Sequence, residues 1–325
     1  MLQRFYAIAT NTFIETVRQP IYGVILLATA ALLVLNVSLS AFTLSDDDKL
    51  LLDVGLSTLL LSGLFLSAFS ATGILSREID NKTVLTVISK PISRPVFILG
   101  KFSGLAGALL LAYYLCFLVF ILAQRHGVMQ RSSDPWDAPV LVLGGGSLCV
   151  ALVASAFCNY FYGRDFPTTM LAILTPLLTF AVVLVGKFDE HWKLIPFASN
   201  FAGGQVIIAA YLVLLIVLIT AAEALAASTR FGQLMTLMIC VCVLGLGITS
   251  DYAFGQYEAM SSSAAVAYRV VPNVGPFWVI DGLTSGSERT TVTPTYIAYV
   301  TAYAALLTTG ILALAVLLFQ KREIG

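Results

Sequence analysis

The chain has 325 residues, 58% hydrophobic and only 11% charged, with a mean hydropathy of +0.91. A soluble domain is about one-quarter charged, so most of this surface does not face water and the chain reads as an integral membrane protein. A formal net charge of zero and a pI near 6.7 argue against nucleic acid as a partner.

The first segment, MLQRFYAIATNTFIETVRQP, lacks a compact apolar region followed by a small-residue cleavage site, so no cleavable signal peptide is expected. Arg4, Asn11, Glu15 and Arg18 share one helical face, with Phe5, Ile8, Phe13 and Val17 around the rest. That pattern suits a helix over 1–19 lying in the membrane interface, with Pro20 marking the turn into the first span.

Eight stretches then carry the roughly 20 mostly apolar residues a membrane-spanning helix requires. They are residues 21–43, 54–75, 98–123, 138–160, 167–186, 205–227, 232–249 and 295–319. The fifth and seventh are short, so the count is six to eight, with eight the best reading. The fold class is therefore all-α: a polytopic membrane protein with one interfacial helix, in a single transmembrane domain over 1–325. Placing the N-terminus in the cytoplasm puts eleven of the eighteen Lys and Arg on that side, and eight spans return the C-terminus to it. The outer segment 187–204 mixes Trp192 and Phe197 with charges, as an interfacial helix would. Residues 250–293, with VVPNVGPFWVIDGL, form an outer loop too apolar to be wet throughout. It re-enters the membrane shallowly or lies flat on it.

Residues 76–97 face the cytoplasm in this topology. The stretch SREIDNKTVLTVISKPISRPVFILGK (76–101) holds Arg77, Lys82, Lys90, Arg94 and Lys101. Ile79, Val84, Leu85 and Ile88 form an apolar stripe on a helix over 77–90. Pro91 ends that helix, because its ring clashes with the preceding turn and it donates no hydrogen bond. The plain reading is a solvated basic loop; the sharper one is a docking helix for a cytoplasmic partner.

Few residues inside the spans carry chemistry. Glu223 lies in an apolar run and pairs with Arg230 near the helix end, or else serves the substrate path or gating. Asn36 reads as a hydrogen bond between helices, with a place in the substrate path as the alternative. Gly144-Gly145-Gly146 marks close packing or a kink. The five cysteines lie in apolar runs without CxxC spacing and read as small core residues. No metal site or paired catalytic group is legible.

The basic stretch resembles the cytoplasmic segment of ABC-2 type transporter permeases. The matching residues are Glu78, Thr83, Leu85, Ser89-Lys90-Pro91-Ile92-Ser93-Arg94 and Gly100-Lys101. The ending LLFQKREIG (Leu318, Phe319, Lys321, Arg322, Glu323) is similar to that family's terminus. ASTRFGQLMTLMICVCVLGLGITSDYAFG and VPNVGPFWVIDGL look like the second half of some bacterial members. Lys82 stands where the family often has Gly, and eight spans replace the usual six, the additional pair being 138–186. The resemblance implies an ABC-2 permease fold in a bacterial inner membrane. It also implies a second permease, either another copy or a different chain, and a separate cytoplasmic ATPase subunit that binds ATP and Mg. The coupling helix would dock that ATPase through Arg77, Glu78, Asp80, Lys82, Thr83, Leu85, Ile88 and Lys90. This chain has no GxxxxGK[ST] loop, so it needs no cofactor of its own and is a transporter subunit rather than an enzyme. The alternative is an ATP-independent membrane protein, either an intramembrane enzyme or a scaffold.

Overall fold

The structure, a computed structural model, describes residues 2–40, 47–80, 93–128, 136–196, 204–257, 271–279 and 292–320, together with 262, 265, 266 and 268. The helices in chain order are α1 (Leu2–Val17), α2 (Pro20–Ser40), α3 (Asp47–Asp80) and α4 (Arg94–His126). A π-helical segment (Val140–Gly145) leads into α5 (Gly146–Tyr162). There follow α6 (Phe166–Val185), α7 (Gly204–Ser228), α8 (Gln233–Ala253) and α9 (Pro294–Gln320). Among the described residues eight helices are long and apolar enough to cross a membrane, at the eight places the hydropathy pattern marks. Among the described residues there is no strand, only one isolated antiparallel bridge between Phe188 and Leu194. The chain is thus an all-α polytopic membrane protein.

The helices outrun their oily cores. α3 covers 34 residues, about 51 Å at 1.5 Å per residue, against a hydrocarbon core of about 30 Å. It passes without a break through the position where a separate helix is expected to begin, at residue 77. The reason is local: TGILSREID holds no proline, and its one glycine, Gly73, is tolerated inside a helix.

The described residues fall into two compact units. One comprises Met1–Tyr22, Leu60–Leu110 and Tyr211–Gly325. Its core joins Leu75 of α3, Phe97 and Ile98 of α4, Ala222, Leu225 and Ala226 of α7, and Leu312, Ala315 and Phe319 of α9. The three alanines let the helix backbones approach, which is how helices associate where lipid offers no hydrophobic drive. Phe97 and Phe319 stack with centroids 5.5 Å apart.

In the same unit α1 lies in a glycine groove of α4. A Cβ on Gly100 would meet Ile8 at 2.8 Å, and one on Gly104 would run into the Ala9 carbonyl and Thr12. Thr12 and Thr16 are fully buried, whereas Leu2 and Tyr6 are exposed. Lys101 is 2% exposed. Its Nζ lies 3.7 Å from the Glu15 carboxylate and 5.7 Å from the centre of the Phe97 ring. A buried ammonium requires such partners.

The other unit comprises Gly23–Leu59 and Leu111–Ala210. Asn36 donates to the Leu51 carbonyl (2.8 Å), tying α2 to α3. Arg125 at the end of α4 pairs with Asp137 at 2.8 Å, both nearly buried. Asp137 also accepts from Val140 N (3.2 Å), opening the π-helical segment that ends at the glycine triplet. α5 and α6 form a hairpin. Gly163 sits at φ 61°, and Asp165 caps α6 by accepting from Thr168 N. Cys149 of this hairpin and Cys242 of α8 are exposed rather than buried. In a membrane the outward side is as apolar as the core, so an apolar run does not tell the two apart.

Candidate functional site

The stretch singled out by its charge is bounded by α3 and α4. Arg77, Glu78 and Asp80 fall in the last turn of α3. Lys82, Thr83, Leu85, Ile88 and Lys90 lie outside the described residues, as does the part of the expected helix beyond Asp80. What is visible is how the two flanks are held. Leu75 of α3, just before the stretch, and Phe97 and Ile98, in the first turns of α4, are buried in the core shared with α7 and α9. Arg94 begins α4 and reaches the end of α9: its guanidinium donates to the carbonyls of Phe319 (3.4 Å) and Gln320 (2.6 Å). Arg230, in the turn after α7, donates to Leu318 O (2.9 Å). Two guanidiniums thus converge on three consecutive carbonyls in the last described turn of α9.

This overturns the pairing expected for Glu223. Arg230 is committed to α9, and among the described residues Glu223 forms no ion pair or hydrogen bond. The chain leaves the helix after Ser228, so the seven-residue spacing no longer stacks the two side chains. Glu223 instead lines a cleft with Ile216, Ile219 and Thr220 of α7, Val243 and Leu244 of α8, and Leu307 of α9.

The cleft's remaining wall is the segment Pro272–Phe277. Val274 N donates to Gly247 O (3.1 Å), about 9 Å short of the end of α8 by helix rise. Gly247 is required there, since a Cβ would lie 2.6 Å from Val274 and 2.7 Å from Pro272 O. A polar knot fixes the segment. Asp251 accepts from Tyr268 OH and Asn273 Nδ2, each at 2.7 Å. Asn273 N donates to Tyr303 OH (3.0 Å), and Tyr296 OH donates to Pro276 O (2.6 Å). Phe277 is 1% exposed.

Asn36 sits on the α2–α3 contact and does not line this cleft. Among the described residues no three His, Cys, Asp or Glu side chains converge as metal ligands would.

No family model, curated protein or solved structure matches the chain.

The base of this unit and its cleft are one piece of packing. Ala222, Leu225 and Ala226 of α7 belong to the core that grips the flanks of 81–92, and Glu223 is their neighbour in sequence. The Arg94 and Arg230 contacts were not legible in the sequence, because partners 226 and 88 residues apart leave no local pattern. A basic residue placed just outside a span was the only hint.

Proposed function

We propose that the chain is the permease subunit of an ABC-2 type ATP-driven exporter in a bacterial inner membrane, with both termini in the cytoplasm. In this reading a separate ATPase chain hydrolyses ATP with Mg and docks on residues 77–90. A second permease, identical or different, completes the pore. The observation that carries the reading is the grip on both flanks of that stretch. A push delivered between α3 and α4 passes into Leu75, Phe97 and Ile98, and from there into α7 and α9, the helices that line the Glu223 cleft. Packed cores transmit displacement because they contain few voids to absorb it. The Arg94 contact to Phe319 and Gln320 supplies a second, polar link to α9.

The test is to purify the chain in mild detergent from its native membrane and identify what accompanies it by mass spectrometry. A stoichiometric ATPase, lost when residues 77–90 are altered, is the expected result. Repeated recovery of the chain alone, from membranes that contain the candidate ATPase, turns the reading to an ATP-independent membrane protein. Leu85→Pro, which breaks a helix over 77–90, is expected to insert normally and abolish ATP-dependent transport; unimpaired transport refutes the docking role.

A further inference from the structure

Glu223 is the one acidic side chain among the residues that line the cleft, and no cation faces it among the described residues. A carboxylate within a span is costly unless a cation or a proton meets it. Arg230, the nearest base along the chain, is turned away to Leu318 O.

The other walls narrow the kind of cation. Metal ions such as Ca²⁺ take six or more oxygen ligands. Besides Glu223 the lining offers one hydroxyl, Thr220, whose proton already goes to Ile216 O (2.9 Å). It also offers Asn273, whose amide is spent on Asp251 and Gly275 N. Everything else is aliphatic, apart from Phe277 and Pro272. The enclosed space is about 10 Å³, room for one water-sized group such as an ammonium, so any chain attached to that group leaves through the mouth. An alkylammonium fits this chemistry: its three N–H donors match a carboxylate, and its tail matches aliphatic walls.

We infer that the cleft between α7, α8 and α9 binds the ammonium head of an alkylamine, with Glu223 as counter-ion and Pro272–Phe277 as its wall. This deepens the exporter reading by naming a substrate class, an amphiphilic primary amine. Its test needs no ATPase, so the two fail separately: a chain that binds no amine yet co-purifies with an ATPase loses only this inference.

The experiment uses the purified full chain in phosphatidylcholine nanodiscs and a fluorescent dodecylammonium probe at neutral pH, displaced by unlabelled dodecylamine or by dodecanol. Empty nanodiscs set the lipid-partition background. Dodecylamine is expected to displace the probe at least tenfold more effectively than dodecanol. Glu223→Gln, which keeps shape and removes charge, is expected to weaken probe binding at least tenfold. Leu307→Trp, which fills the cleft and leaves Glu223 in place, is expected to do the same. Equal displacement by the alcohol, or affinity within twofold of the parent in both variants, overturns the inference. So does probe binding no greater than in empty nanodiscs.

Discussion

Gly104→Ala is the sharpest test of how α1 is seated. An added Cβ would lie 2.6 Å from Thr12 Cβ and 3.0 Å from Phe13 N, and closer still to the Ala9 carbonyl. Two of those three atoms are backbone, which cannot rotate away. Restoring an ordinary carbon–carbon separation of about 3.6 Å requires α1 to withdraw by about 1 Å. Overpacking of this kind costs about 1–3 kcal/mol, and alanine's better helix propensity returns about 0.5–1 kcal/mol. The net range is about 0–2.5 kcal/mol, and with rigid backbone as the obstacle it falls in the upper part, about 1–2 kcal/mol, or roughly a five- to thirty-fold rise in the unseated population.

Neighbouring glycines supply the scale. At Gly100 the obstacle is the Ile8 side chain (2.8 Å), which can turn; at Gly107 it is the Phe13 ring at 3.3 Å; at Gly23 nothing lies within 4 Å. Disruption should therefore fall in the order Gly104, Gly100, Gly107, with Gly23→Ala neutral or slightly stabilising. Thr12 is fully buried against α4, so Thr12→Cys in a background stripped of native cysteines reports seating through its maleimide labelling rate. Gly104→Ala should raise that rate five- to thirty-fold. An unchanged rate, or a larger effect from Gly107→Ala, refutes the steric argument.

Removing one partner of the buried Arg125–Asp137 pair, as in Arg125→Ala, should cost about 3–5 kcal/mol by thermal melting in detergent, because the other charge is left buried. The double change Arg125→Met with Asp137→Leu should recover most of that loss. Replacing both Arg94 and Arg230 with alanine should fray the last turn of α9 by about 1–2 kcal/mol, seen as faster hydrogen exchange over Val316–Gln320; unaltered exchange removes the capping role. Asp189, in the turn after α6, accepts hydrogen bonds from Lys193 N and His191 N, and these hold its carboxyl below the ordinary carboxylate range. Its contribution is therefore present above about pH 4 and lost only as pH falls through the lowered value. Fluorescence of Trp192, with the other tryptophans replaced, should stay flat from pH 7 to 5 and change below 4. In Asp189→Asn that change should disappear.

The eight spans were legible because hydropathy over about 20 residues is a non-local average that single substitutions do not disturb. Their ends were not. α3 starts at Asp47 and runs to Asp80, where the apolar run covers only 54–75, and α4 extends to Arg94 and His126 beyond 98–123. Hydropathy reports the lipid-matched middle, whereas the backbone stays helical until something breaks it. The buried face of α1 was half legible. Phe5, Ile8, Phe13 and Val17 do turn inward, but Thr12 and Thr16 are buried with them. Their partner is a glycine groove on another helix, which no periodicity within α1 reveals. Glu223 was conspicuous as a charge in an oily run, but its setting was not, since the wall facing it comes from residues 272–277. The Arg230 pairing failed because sequence spacing presumes a helix that had already ended at Ser228.

The two arginines at the end of α9 also set an order in time. Their acceptors lie 226, 225 and 88 residues downstream. At a synthesis rate of about 5–20 residues per second, Arg94 waits roughly 11–45 s for the carbonyls it will hold, and Arg230 roughly 4–18 s. Through that interval both guanidiniums are fixed charges at the ends of newly made helices, available to water and lipid phosphates. Only when α9 arrives do they turn inward to it. A chain truncated before Leu318 would leave this latch open, so closure of the base is a molecular record that α9 has been made and put in place.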